Sequence, residues 1–294
     1  MKVSLLKQDQ IFGKNVLNAI KIFGRKVGAT DLAVLQGAYI NSDGITDSTG
    51  NCSADTWTSS EGNISGRNGF VACVSQNGDE STMKPTNMHG LFRPILILEP
   101  KELSNFKNAK EVKVSGGQSF GKLAVYEFGR YPQKIVDRET AERLEKLLTD
   151  HVETTEHSYT FNKSNIWKSE IPEFRAYTCR EYEYNGDKYI RLFGEPAKDT
   201  CVTANQKHID YGKIYWVKVE PIRWLFDQEK NMLISEQGLL SGIPFTNSKN
   251  YNGNFEKTIA YRYLNTYFIN EIVDVRRLCR AKTIIPPRIE QYER

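Results

Sequence analysis

Histidine and cysteine are scarce in this chain, and neither is grouped. The 294 residues hold four His (89, 151, 157 and 208) and five Cys (52, 73, 179, 201 and 279), with no Cys-x-x-Cys pair. Zinc sites draw closely spaced ligands from ordered elements, so no metal centre and no cofactor are predicted. His151 and His157, which share a segment with Glu153 and Glu156, read as part of a solvated polar loop. An odd number of widely spaced cysteines excludes a disulfide framework and predicts reduced thiols. A Cys52–Cys73 bridge is sterically conceivable but runs against the missing export signal. A surplus of one charge is also lacking. Forty Lys and Arg against 36 Asp and Glu leave a net charge of +4, too mild and dispersed for a nucleic-acid surface. No apolar run approaches the roughly 18 residues of a membrane-spanning helix. Residues 1–10 lack the apolar stretch of a signal peptide, which predicts a protein that is cytoplasmic as synthesised. The glycine-bearing loops at 62–66 and 115–118 lack a phosphate-loop Lys-Ser/Thr ending.

What is present is apolar and aromatic. Hydrophobic residues make up 39% of the chain, with 15 Tyr and 14 Phe, enough for a sizeable, β-leaning core. Residues 3–6 read as a strand, and Asn15 as the cap of a helix running to Phe23. Thr30-Asp31 opens a short helix over 32–35, stopped by Gly37. The runs 70–74 and 92–98 have the content of buried strands, and Gln76-Asn77-Gly78-Asp79 is a turn. Residues 122–129 alternate as a strand that ends in a Gly/Pro turn, and 138–150 form an amphipathic helix. Polar residues 151–172 are anchored by Tyr159, Phe161 and Trp167. A hairpin turning at Asn185-Gly186 joins 175–184 to 188–193. Strands at 214–225 and 232–235 and a helix over 257–272 complete the elements, with Trp216, Trp224 and Leu264 in the core.

Several of these pieces together carry a family resemblance. The polar stretch from Trp57-Thr58-Ser59-Ser60, followed by Gly90-Leu91-Phe92-Arg93-Pro94-Ile95-Leu96, resembles the end of a C-type-lectin-like domain. The version is the one shared by formylglycine-generating enzymes, variable proteins of diversity-generating retroelements, and a large uncharacterised bacterial and phage set. Phe128-Gly129-Arg130-Tyr131-Pro132-Gln133 is similar to the "F-G-x-Y-P-Q" signature of that set. Further similarities are Thr30-Asp31-Leu32-Ala33 with Gly37-Ala38-Tyr39, Pro221-Ile222-Arg223-Trp224 followed by Met232-Leu233-Ile234-Ser235, and Tyr261-Arg262-Tyr263-Leu264-Asn265 with Phe268. The chain departs from the pattern at the second Trp, and Phe92 lies one residue beyond the usual spacing. The motif order is also rotated, with the Trp stretch first. The resemblance implies an α+β, C-type-lectin-like mixed sheet with flanking helices and long polar loops, circularly permuted. It implies a single domain over 1–294, with halves 1–100 and 118–280 packed together, a hinge at 101–117 and a basic tail at 281–294. Two separate domains are the alternative.

By analogy with the varied positions of variable proteins, the resemblance implies a ligand-binding face at Trp57, Ser59, Ser60, Asn63, Asn68, Ser75, Asn77, Asp79, Thr82 and Asn87. Short amides and hydroxyls suit such a face because they add adaptable hydrogen bonds without supporting the core; simply solvated loops are the other reading. The implied function is a non-enzymatic ligand-binding or display protein: a phage virion or receptor-recognition component, or a bacterial variable protein. Its partner would be a protein or glycan on a cell surface, or other virion proteins, and a homo-oligomer stays open. The alternative is a formylglycine-generating-enzyme-like thiol or copper oxidase using Cys52 and Cys73. The carboxylate-bearing loop of calcium-dependent lectins is missing at Lys84-Pro85-Thr86-Asn87.

Overall fold

The computed structural model describes residues 1–40, 45–48, 50–64, 67–99, 110–112, 124–148, 153–163, 174–197, 201–203, 208–227 and 230–272. Most of the expected hinge at 101–117, Trp167, Cys279 and the tail at 281–294 lie outside them.

Strand β1 (Lys2–Ser4) leads into helices α1 (Asp9–Phe12), α2 (Asn18–Phe23) and α3 (Asp31–Leu35). Thr30 caps α3 by accepting the Ala33 N–H at 3.3 Å, as the Thr-Asp pair predicts. Asn15 caps no helix; it donates to Asp9 across the α1–α2 turn, and Leu17 takes the N-cap position of α2. Strands β2 (Thr56–Ile64), β3 (Arg67–Val74) and β4 (Glu80–Met83) form a three-stranded antiparallel sheet. The turn expected at 76–79 joins β3 to β4, with Gly78 at φ +85°.

Nine strands form the second sheet among the described residues. They are β1, β5 (Ile95–Ile97), β6 (Lys110–Val112), β7 (Ala124–Ile135), β8 (Glu153–Asn162), β9 (Ala176–Tyr184), β10 (Asp187–Phe193), β11 (Ile214–Asp227) and β12 (Met232–Ser235). The β9–β10 hairpin turns where Asn-Gly predicts, with Asn185 at φ 52° and Gly186 at φ 80°. Helix α4 (Arg138–Leu147), capped by Asp137, lays Leu144 on Trp216 and Tyr189. The last described elements are α5 (Ile259–Tyr263), a π-helical turn (Leu264–Phe268) and α6 (Ile269–Ile272).

The 14-residue β11 is the spine. It pairs with β7 along one edge and with both β10 and β12 along the other, so the sheet forks into a β12–β5–β1 branch and a β10–β9–β8 branch. Both outer edges meet the C-terminal helical segment. Val3 donates its N–H to Asn265 Oδ1 at 3.0 Å and accepts from Asn265 Nδ2 at 2.9 Å. On the other branch, Thr160 donates its N–H to Glu271 Oε1 at 2.7 Å, and its carbonyl accepts from the Tyr263 hydroxyl at 2.6 Å. Side chains from one helical segment thus satisfy backbone groups that a sheet edge would otherwise leave open. Trp224 and Leu264 are buried in the main core, and Trp216 is buried in the separate cluster under α4; Trp224 also donates to the Phe128 carbonyl at 2.8 Å.

Four local expectations change. The stretch after Trp57 is strand β2 rather than a loop, because its register with β3 pairs Thr56 with Val74 and Glu61 with Val71 around a bulge. Of the two runs read as buried strands, 70–74 lies in the three-stranded sheet, whereas in 92–98 only Ile95–Ile97 is a strand, paired with β1 and β12 in the larger sheet. Gly129 does not end its strand; at φ +66° it kinks β7, which continues through Tyr131, Pro132 and Gln133 to Ile135. The polar segment after 151 contains β8, whose buried Tyr159 and Phe161 are the predicted anchors. The result is an α+β fold of antiparallel sheets with a few short helices.

Candidate functional site

Trp57 does not lie on a binding face. It pairs with Cys73 in the β2–β3 register, points into the core and is 2% exposed. The indole lies 5.1 Å from the Phe245 ring and 6.4 Å from that of Phe92. A Cβ on Gly90 would fall 2.2 Å from its Nε1, so only glycine fits there. That Nε1–H has no partner among the described residues. The largest apolar side chain of β2 turns into the core, and its neighbours Thr56 and Thr58 are buried with it, their hydroxyls donating to the Ala54 carbonyl at 3.0 Å and the Ala72 carbonyl at 2.7 Å. Phe245 in turn touches Tyr251 at 5.1 Å and Phe255 at 5.6 Å. Tyr251 donates its hydroxyl to the Ser59 carbonyl at 2.8 Å and its N–H to the Gly69 carbonyl at 2.8 Å. This row of aromatics ties the distant segment 245–255 to the β2–β3 hairpin.

Four of the other predicted residues are occupied within the fold. Ser59 Oγ donates to the Leu5 carbonyl at 3.1 Å, and Ser60 Oγ accepts the Gln8 N–H at 3.0 Å, so both hold the segment after β1. Ser75 Oγ accepts the Asp79 N–H at 3.1 Å and stabilises the turn. Asn87 Oδ1 accepts the His89 N–H at 2.6 Å. Asn63, Asn68, Asn77 and Asp79 are exposed, and Thr82 is half-buried against Gly62. These five do not form one cluster. Asn63 and Asn68 flank the tip of the β2–β3 hairpin, whereas Asn77 and Asp79 lie beyond the other end of β3, about 20 Å away at 3.3 Å per residue. Gly78 there sits against Lys26 and Arg25.

The hairpin tip has neighbours that the sequence reading passed over. Residues 247–250 and 252–254 are exposed and hold Asn247, Ser248, Asn250, Asn252 and Asn254. Gly69, at φ +79°, brings the β3 backbone so close to Asn250 that a Cβ would fall 2.8 Å from its Oδ1. The loop is braced by its own side chains: Ser248 Oγ accepts the Asn250 N–H and Asn252 Oδ1 accepts the Asn254 N–H, each at 3.3 Å. Four Asn within residues 247–254 were the signal available in the sequence. Gly69 lies against Asn250 and Gly253 against Glu61, so the loop meets the hairpin where the exposed Asn68 and Asn252 adjoin those glycines and the exposed Asn63 follows Glu61 on β2. No family model, curated protein or solved structure matches the chain.

Other chemistry is less developed. Cys52, Cys73, Cys179 and Cys201 are buried free thiols, in keeping with the reduced state expected. Burial, with Asp55 nearby, pushes the Cys73 thiol up to about 12, so it carries almost no thiolate at neutral pH. Among the described residues no group of three His, Cys, Asp or Glu side chains is arranged to hold a metal. A narrow crevice between α1, α2 and the three-stranded sheet is lined by Leu6, Ile11, Ile20, Val27, Trp57 and Arg93 among others. The Arg93 guanidinium is bound by the Ser235 carbonyl at 2.8 Å and the Glu236 carbonyl at 3.4 Å, which fits it to holding the end of β12 rather than to catalysis. No helix of the described residues is long and apolar enough to cross a membrane.

Proposed function

We propose that this is a non-enzymatic recognition or display protein that binds a macromolecular ligand through the surface at the β2–β3 hairpin tip and residues 247–254. The observation that carries the reading is the exposed set Asn63, Asn68, Asn250 and Asn252, brought together from distant segments and held by the buried Trp57–Phe245–Tyr251 row. Short amides on a rigid base can exchange hydrogen bonds with a partner at little entropic cost and without disturbing the core. In this proposal the fold is a circularly permuted member of the C-type-lectin-like set, and the ligand is a protein or glycan of a cell surface or another virion protein. Thiol oxidation is the weaker reading, since the buried, protonated Cys73 is a poor nucleophile.

The test is a variant carrying Asn63→Ala, Asn68→Ala, Asn250→Ala and Asn252→Ala, assayed for binding to bacterial cells and to purified virion components beside a melting curve. Loss of binding with the melting temperature kept supports the proposal. Full binding by the folded variant rejects this surface as the recognition face.

A further inference from the structure

The β8 edge is closed by a half-buried acid, Glu271, whose carboxyl is enclosed and lacks a counter-ion among the described residues. Glu271 Oε1 accepts the Thr160 N–H at 2.7 Å, and its Oε2 is buried with no hydrogen-bond partner among those residues. The groups facing this carboxyl are Tyr131 from β7, the Thr160 hydroxyl and Tyr159 from β8, Cys179 from β9 and Tyr263 from α5, while the His157 ring meets the Glu271 backbone carbonyl. Arg130 of β7 stands near His157 and Tyr159 and makes no ion pair with Glu271. Burial holds His157 below its usual value, so its ring is neutral at neutral pH. The neighbouring acid, Glu181, differs: Lys188 Nζ lies 3.0 Å away, and the Tyr159 hydroxyl donates to it at 2.9 Å. Among the described residues Glu181 therefore has its cation, and Glu271, which clasps the strand edge, does not.

We propose that the Glu271–Thr160 contact is a proton-operated latch on the β8 edge, closed while the carboxyl is protonated and loosened when it ionises. Ionisation puts a charge into an aromatic-lined site with no cation among the described residues to meet it, and the charge is relieved by moving α6 away from β8 toward water. Burial pushes the closed carboxyl up to about 8, whereas an open, solvated one ionises at about 4.3. Between those values the closed form holds a proton that the open form has lost. Closing therefore weakens as pH rises, by up to about tenfold per pH unit, and levels off above the closed value. The opposite branch supplies an internal control, because Val3 is clasped by Asn265, which does not titrate.

Amide hydrogen exchange in the full chain, corrected for intrinsic exchange, tests the latch. Protection of the Thr160 amide should fall by up to tenfold per unit from about pH 5.5 to 7.5 and flatten above about 8, while Val3 protection stays level. Glu271→Gln keeps the acceptor and cannot ionise, so its Thr160 protection should not change with pH. In the unaltered protein, the Glu271 side-chain carboxyl ¹³C shift should titrate near the pH at which Thr160 protection levels off. A flat Thr160 profile, a slope that survives Glu271→Gln, parallel loss at Val3, or a carboxyl midpoint near 4 would each overturn the proposal.

Discussion

Trp57→Ala separates a buried support from an exposed ligand anchor. The indole is 2% exposed, and a tryptophan so enclosed removes roughly 200 Å² from water. At about 25 cal/mol per Å² that is about 5 kcal/mol. Two local features modify the figure. Deleting an indole whose Nε1–H has no acceptor among the described residues returns about 1–3 kcal/mol of desolvation cost. The space left between Gly90, Phe92 and Phe245 adds a cavity penalty in the other direction. The expected net loss is about 3–5 kcal/mol for Trp57→Ala. Trp57→Phe keeps an aromatic contact and removes the unpaired N–H, so it should cost no more than about 1.5 kcal/mol. Urea titration reads both as a lower midpoint at unchanged slope. A loss under about 1 kcal/mol for the alanine variant would refute the buried placement, since exposed positions change stability by within about 0.5 kcal/mol. A phenylalanine variant as unstable as the alanine one would refute the unpaired-donor argument.

Three further outcomes rest on single contacts. Gly129→Ala should cost roughly 1–3 kcal/mol in thermal unfolding, because φ is +66° and the new Cβ would fall 2.5 Å from the Ile272 carbonyl oxygen; an unchanged melting temperature would show that the β7 bulge relaxes freely. Lys188→Met strands Glu181, whose side chain is 1% exposed, and should cost about 3–5 kcal/mol at pH 7. Burial pushes Glu181 up, but hydrogen bonds from Lys188 and Tyr159 more than reverse this and hold it below its usual value. Its stabilising contribution is therefore present above about pH 4.3 and lost as pH falls through the lower folded value. The gap between unaltered and variant protein should close in acid, and a pH-independent gap would refute the ion-pair account. Finally, the Cys73 thiol, pushed up to about 12, should resist maleimide at pH 8 until denaturant is added; rapid labelling of the native chain would contradict its burial.

Local chemistry made much of the fold legible. Asn185-Gly186 forced a tight turn because both residues accept positive φ, and Thr30-Asp31 could cap only a helix on its C-terminal side. The apolar runs around Trp216 and Trp224 announced a buried strand whatever surrounds it. The binding surface was less legible. The polar composition of 57–64 read as loop because hydroxyls and amides are weak strand formers, yet cross-strand pairing with 67–74 decided the outcome. Ser59 and Ser60 resembled free donors in one dimension, but their partners, Leu5 and Gln8, lie more than 50 residues away. Thr160 and Glu271 illustrate the same limit, standing 111 positions apart with no periodic signal linking an edge strand to the acid that covers it.

The clasp between Val3 and Asn265 spans 262 residues, and this separation sets an order of events during synthesis. A ribosome adding about 5–20 residues per second needs on the order of 13–50 s to cover that distance. β5 lacks its partner β12 until residues 232–235 are made, and β1 lacks the helical segment throughout the interval, so the outer edge of β1 and the apolar face containing Val3 and Leu96 stay open. Contacts of such long range are formed late and slowly. The nascent chain is therefore most exposed to aggregation just before the 255–272 segment emerges, and ribosome-bound chains stopped near residue 250 would be the form that chaperones hold longest.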